Sequence, residues 1–186
     1  LNKIDNADNS PLAVFTGSSS NQPERSYLYD FETGTSKLLA DPMEGKDFVT
    51  GKVEDWNFAM ESGKEIKGRI YYPPNFNPDK KYPAIVYYYG GTNPITREFE
   101  GRYPKNIWAA NGYIVYTLQP NGATGFGQEF SAYHVNDWGE VTSAQIITGT
   151  QKLLDEHSFI DPDKVGCIGA SYGGFMTMTL LTKTDI

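Results

Sequence analysis

Apolar and polar positions fall into two regimes, divided by a polar stretch at 41–51 that carries Pro42 and Gly45. Before it, 12–15 is a short apolar run ended by Gly17-Ser18-Ser19-Ser20. Residues 26–31 alternate, and 37–39 return after the turn Glu32-Thr33-Gly34-Thr35. Two such runs around a short Gly-containing loop predict a β-hairpin. The polar stretch marks the boundary between a first unit, 1–50, and a second, 51–186.

In the second unit, 53–60 and 65–72 predict strands on either side of Glu61-Ser62-Gly63-Lys64. The nearly continuous run YPAIVYYY at 82–89 suits a strand covered on both faces, as in a parallel sheet. PKNIWAAN, 104–111, predicts a short helix with Pro in its first turn and Asn-Gly at its end. A strand at 113–118 follows, then a Gly-rich loop at 120–127. Helix periodicity is clearest at 142–157, where Ile146 and Ile147 recur as Leu153 and Leu154 on one face. Gly149 inside it costs ~1 kcal/mol against Ala and marks close packing. Asp161-Pro162 breaks that helix, 165–168 predicts a short buried strand, and a small, apolar helix starts at Tyr172. Strands alternating with helices predict the α/β class, with a parallel sheet and right-handed crossovers.

Composition narrows the function. The 186 residues carry a net charge of −7 with scattered basic residues, which argues against nucleic acid as a partner. No apolar run approaches the ~20 residues of a membrane span. The polar opening stretch 1–10 lacks the apolar core of a signal peptide. A soluble protein is expected, with periplasmic, secreted and cytoplasmic locations all open. Cys167 is the single cysteine and the two histidines lie far apart, so neither a disulfide nor a metal site is expected.

The chemistry concentrates in Gly169-Ala170-Ser171-Tyr172-Gly173, a G-x-S-x-G between a predicted strand and a predicted helix. That context is what a nucleophile elbow requires. The serine takes strained dihedrals at a sharp turn, and the glycines permit backbone approach too close for a Cβ. The helix that starts there aims free N–H groups at the site. Ser171 is therefore the candidate nucleophile, with the backbone N–H of Tyr172 as an oxyanion donor. The bland alternative is a Gly-rich turn that merely starts a helix.

Other residues point less clearly to chemistry. Gly122, Gly125 and Gly127 reverse the dinucleotide-binding spacing and lack a Walker lysine, so a structural loop beside the cleft is expected, and no cofactor. His134 is a poor candidate base in a polar loop, His157 suits a helix end, and Cys167 reads as a small buried residue. Tyr89 precedes Gly90-Gly91 and should stand at the sheet's active edge.

These residues together resemble the prolyl oligopeptidase family of serine peptidases. The similarity lies in EIKGRIYYPPNFNPDKKYPAIVYYYGG, in NGATGFGQEF with Trp138-Gly139, and in GASYGGFMT. The resemblance implies a partial α/β-hydrolase fold over 51–186, its first half, preceded by a β-hairpin from the last blade of a β-propeller. Tyr-Gly-Gly at Tyr89 is similar to the dipeptidyl-peptidase branch, which implies that the Tyr89 hydroxyl completes an oxyanion hole.

In α/β-hydrolases the triad runs Ser, then acid, then His. No histidine follows Ser171, and Asp185 falls at the far end of the same helix. The expectation is a fragment lacking the triad Asp and His, inactive alone. Its expected partners are the remaining half of the hydrolase domain or a second chain, with a homo-oligomer open. The expected activity of the whole is hydrolysis of short peptides by a serine peptidase. An esterase or lipase on the same fold and a non-catalytic binding module are the alternatives.

Overall fold

The first elements follow from local turn chemistry. In this computed structural model, which describes residues 3–97, 99 and 101–186, Asp30 Oδ1 accepts the N–H groups of Glu32 and Thr33 at 2.8 and 3.3 Å. That turn folds β3 (Gln22–Asp30) back as β4 (Thr35–Ala40). With β1 (Lys3–Asn6) and β2 (Leu12–Ser19) they form a four-stranded antiparallel sheet in chain order. The hairpin expected from the sequence is thus one half of a larger meander. Its faces are thinly covered. Ala13 is buried, while Phe31, Leu38 and Leu39 are about half exposed. The first two residues of the polar opening stretch lie outside the described residues.

The second sheet contains β5 (Val53–Asp55), β6 (Phe58–Ala59), β7 (Glu65–Tyr71), β8 (Tyr82–Tyr87), β9 (Ile114–Gln119) and β10 (Ile160–Ile168). Its order is β10-β8-β9-β7-β5, with β6 paired to β7. Strands β10, β8 and β9 are parallel, but β7 runs antiparallel to β9 and β5 antiparallel to β7. The sheet is therefore mixed, which corrects the parallel sheet expected from the sequence. The links from β5 to β7 and from β7 to β8 hold no helix, and a parallel crossover needs a dozen or more residues, usually helical.

The parallel strands are joined by helices. Helix α1 (Lys105–Ala110) follows β8. After β9 come the short α2 (Gln128–Ser131) and then α3 (Glu140–Glu156). Helix α4 (Tyr172–Lys183) follows β10. Every residue of β9 is buried. Ile146 and Leu153 of α3 join the core that covers it, with Ile147 and Leu154 packed at its margin. A Cβ on Gly149 would come within 2.7 Å of Phe58 and 3.3 Å of the Tyr116 hydroxyl, the close packing its position in the helix implied. Among the described residues no helix is long and apolar enough to cross a membrane.

Strand β10 departs from expectation. It is longer than predicted, and Gly166, Cys167 and Ile168 are exposed rather than buried. The reason is topological: among the described residues β10 pairs with β8 on one side alone.

Candidate active site

Parallel pairing carries β8 and β10 to the same edge of the sheet, with Ile168 opposite Tyr87. Just beyond that edge lie Tyr89 on one strand's continuation and Ser171 on the other's. Ser171 has φ 56° and ψ −120°, and it and Asn136 are the two non-glycine residues with positive φ among those described. A β-carbon-bearing residue held there costs of order 1–3 kcal/mol and persists where the surroundings impose it.

Two close backbone approaches impose it. A Cβ on Gly169 would lie 2.3 Å from the carbonyl oxygen of Gly173, and one on Gly173 would lie 3.0 Å from that of Tyr88. The first contact closes the elbow on itself. The second seats the start of α4 on the backbone of Tyr88 and Tyr89. Deeper in, the buried Tyr88 hydroxyl meets Thr177 Oγ1 at 2.9 Å, and burial pushes the ionisation of that phenol up.

The Ser171 hydroxyl makes no capping bond to the helix, and the residue is exposed. The N–H groups of Gly173 and Gly174 close turns onto the carbonyls of Ala170 and Ser171, both at 2.9 Å. The N–H of Tyr172 takes no part in these turns and stands at the positive end of α4. The rings of Tyr89 and Tyr172 lie 6.4 Å apart. A tyrosine hydroxyl and a helix-start N–H are donors of the kind that stabilise negative charge developing on a carbonyl oxygen.

The three residues singled out in the sequence therefore come together, and a fourth joins them. His134 packs edge-on against Tyr172 at 5.5 Å. A Cβ on Gly122 would fall 2.1 Å from His134 Nε2, so that edge of the ring lies against backbone, and Nε2 is buried without a partner. The Gly-rich loop thus serves as a bed for this ring. The loop is itself held by Asn121 N–H to Gln145 Oε1 at 2.8 Å and by Thr124 N–H to the Thr92 carbonyl at 2.8 Å. Nothing in the sequence pattern joins His134 to the elbow, because the join is made through Gly122. His157 is elsewhere, at the end of α3, between Trp56 and Phe159. Nearby Ile160 pairs with Tyr82 at the opposite end of β8.

Tyr89, His134, Asn136, Asp137, Trp138 and Tyr172 line a recess of about 250 Å³. Asp137 is fixed there, accepting the N–H groups of Glu140 and Val141 at 2.8 and 3.1 Å. That anchoring starts α3 earlier than its apolar periodicity indicates. The Tyr172 hydroxyl is buried with no partner. Burial raises its ionisation, and the negative charge of Asp137 raises it further.

A strained, exposed serine between a parallel strand and a helix start, on a mixed sheet with helices packed on it, defines an α/β protein with a sharp strand–turn–helix elbow. Residues 101–186 match the prolyl oligopeptidase family of peptidases, and the chain belongs to that family. Its similar proteins include dipeptidyl-peptidase 5 of Porphyromonas endodontalis, 33 % identical over 82 % of this chain and 22 % of that protein. Dipeptidyl peptidase 8 of Mus musculus is 31 % identical over 72 % of this chain and 16 % of its own length. Among solved structures, the acylaminoacyl peptidase of Pyrococcus horikoshii superposes with a TM-score of 0.82 at 23 % identity, covering 98 % of this chain and 29 % of that one. A putative dipeptidyl aminopeptidase IV from Bacteroides ovatus gives 0.74 at 25 % identity, over 93 % and 25 %. The chain thus spans about a fifth of the length of the curated relatives it matches.

Proposed function

We propose that this chain carries the nucleophile and oxyanion half of a serine peptidase active site. Ser171 Oγ attacks the carbonyl carbon of a peptide bond, and the Tyr89 hydroxyl and Tyr172 N–H hold the resulting oxyanion. The observation that carries this reading is Ser171 at φ 56°, exposed at the start of α4, with that helix seated on the backbone of Tyr88 and Tyr89. Relatives named dipeptidyl-peptidases at 31–36 % identity support short peptides as substrates.

A serine needs a base to become a nucleophile. His157 lies toward the other end of β8, and the Nε2 edge of His134 lies against Gly122. The base and its carboxylate partner are therefore assigned to residues outside those described, in a further part of the protein or in a second chain. Residues 51–186 are read as the N-terminal half of an α/β-hydrolase domain. Residues 1–50 are read as the last blade of a β-propeller, a reading supported by a four-stranded meander whose apolar side chains call for neighbouring sheets.

The test is covalent labelling with a fluorophosphonate of the protein carrying its full catalytic complement. Labelling is expected at Ser171 and lost in Ser171→Ala. Labelling that persists in that variant overturns the assignment.

A further inference from the structure

We infer that Tyr88 is a positioning residue for the nucleophile: its buried hydroxyl, acting through Thr177, and its backbone carbonyl together clamp the first turn of α4 and so hold Ser171 in place. The inference rests on the hydrolytic reading of the elbow and names what keeps that elbow in register.

The hydroxyls form a relay. Thr177 Oγ1 donates to the Gly173 carbonyl at 2.9 Å, and the Tyr88 hydroxyl stands 2.9 Å from the same Thr177 oxygen. A threonine hydroxyl carries one proton. With that proton on Gly173, the tyrosine is the donor in the bond to Thr177. The chain therefore runs from Tyr88 through Thr177 to the Gly173 carbonyl, and bonds in such a chain polarise one another.

The place where the chain ends matters more than its length. The Gly173 carbonyl oxygen is the atom that a Cβ on Gly169 would meet at 2.3 Å, so it is where the helix start touches the strand leading into the elbow. Gly173 also lies over the Tyr88 carbonyl, 3.0 Å from where its own Cβ would stand. One residue thus grips α4 twice, at Gly173 through the backbone and at Thr177, one turn on, through the side chain. Two grips a turn apart fix both the height of a helix and its rotation about its axis. Ser171 follows that turn, because its carbonyl accepts the N–H groups of Gly174 and Phe175 at 2.9 and 3.1 Å.

Tyr88 is fully buried, in line with the buried Ala84 and Val86 of the same strand. A phenylalanine would fill that space without the cost of burying a hydroxyl. Burial raises the ionisation of the phenol, and the adjacent Cys167 thiol raises it further, so it stays a neutral donor. Its part is geometric, and it moves no proton in the reaction.

The test compares Tyr88→Phe, Thr177→Val and their double variant with Ile160→Val, all in the protein carrying its full catalytic complement. Ile160 pairs with Tyr82 at the opposite end of β8, and its truncation lowers stability away from the elbow. Tyr88→Phe and Thr177→Val should each slow both fluorophosphonate labelling of Ser171 and kcat by about three- to tenfold, the factor that one hydrogen bond represents. KM and the shape of the pH profile should hold. The double variant should be no slower than the slower single one, since both changes break one chain. Thr177→Ser, which keeps the hydroxyl, should restore the rate. Ile160→Val should lower the melting temperature and leave labelling unchanged. A labelling rate for Tyr88→Phe equal to that of the unmutated protein, or an equal loss in Ile160→Val, would overturn the clamp. Amide hydrogen exchange gives a readout without turnover. The N–H groups of Gly173, Gly174 and Phe175 should exchange faster in Tyr88→Phe and not in Ile160→Val. Faster exchange there, in a protein whose serine is never labelled, would sink the peptidase reading and leave the clamp standing. Unchanged exchange would overturn the clamp.

Discussion

Three glycines at the elbow look alike in the sequence but face very different surroundings. None of Gly169, Gly173 and Gly174 has a positive φ, so a methyl group at each tests space alone. At Gly169 the added Cβ falls 2.3 Å from the Gly173 carbonyl oxygen and 2.5 Å from its carbon. Those atoms belong to the backbone of α4 and cannot rotate away. An ordinary contact requires about an ångström more, so the helix start or the β10 end must move. Overpacking of this kind costs about 1–3 kcal/mol, and an immovable partner puts Gly169→Ala at the top of that range. At Gly174 the nearest atom is 3.7 Å away, an ordinary contact. There Gly→Ala within a helix should gain roughly 0.5–1 kcal/mol. Gly173→Ala, with Tyr88 oxygen at 3.0 Å, should fall between.

The Gly169 and Gly174 variants should thus differ by about 4 kcal/mol. At roughly 2–4 °C per kcal/mol for a chain of this size, their melting temperatures should separate by about 8–16 °C. Thermal unfolding followed by circular dichroism reads this directly. Fluorophosphonate labelling gives a second reading, since displacement of the elbow should weaken labelling in Gly169→Ala although Ser171 is intact. Equal melting temperatures for the Gly169 and Gly174 variants, or a lower one for Gly174→Ala, would refute the steric account.

Two further outcomes follow from the same geometry. Tyr89→Phe in the catalytically complete protein should lower kcat by ~10²–10³ with little change in KM or melting temperature, and a near-normal kcat would reduce Tyr89 to packing. For Glu54, burial pushes the carboxyl up, but hydrogen bonds from Lys52 and the Tyr72 hydroxyl outweigh it, holding the folded group below its ordinary 4.5. A lowered carboxyl contributes stability above the unfolded value that is lost as pH falls through the folded one, so Glu54→Gln should flatten the fall of melting temperature below about pH 4.5, and an unchanged acid limb would remove Glu54 from that role.

What could be read from the sequence follows from the range over which each signal acts. Strands β8 and β9, the helix at Glu140–Glu156 and the elbow were legible because runs, periods and glycine spacing are local. Strand β1 escaped because Lys3-Ile4-Asp5-Asn6 has no apolar pattern and forms by pairing with β2. The mixed sheet escaped because strand direction depends on which neighbour β7 finds, and it finds β9, not β8. Cys167 looked buried because an apolar strand suits an interior, whereas among the described residues β10 has a neighbour on one side alone. His134 reaches Tyr172 over a bed made by Gly122, a contact that sequence spacing cannot register.

The positions of Ser171 and Tyr89 are not independent, and this bears on how the site is organised. One helix start controls both. Gly173 of α4 rests on the backbone of Tyr88 and Tyr89, while Gly169 fixes the approach of β10 to that same turn. Thr177, one turn further along α4, bonds the Tyr88 hydroxyl at 2.9 Å and the Gly173 carbonyl at 2.9 Å. Met176, fully buried, packs near Gly90 on one side and Gly139 on the other. A shift of α4 would therefore carry the serine, the Tyr172 N–H and the Tyr89 backbone together. The placement of Ser171 and the Tyr172 N–H relative to the Tyr89 backbone is thus set by backbone packing around the start of α4. Preorganised donors of this kind need no reorganisation when charge develops. In the proposed mechanism the half-site accordingly holds its geometry before any base is engaged, and the base acts on a serine already aimed.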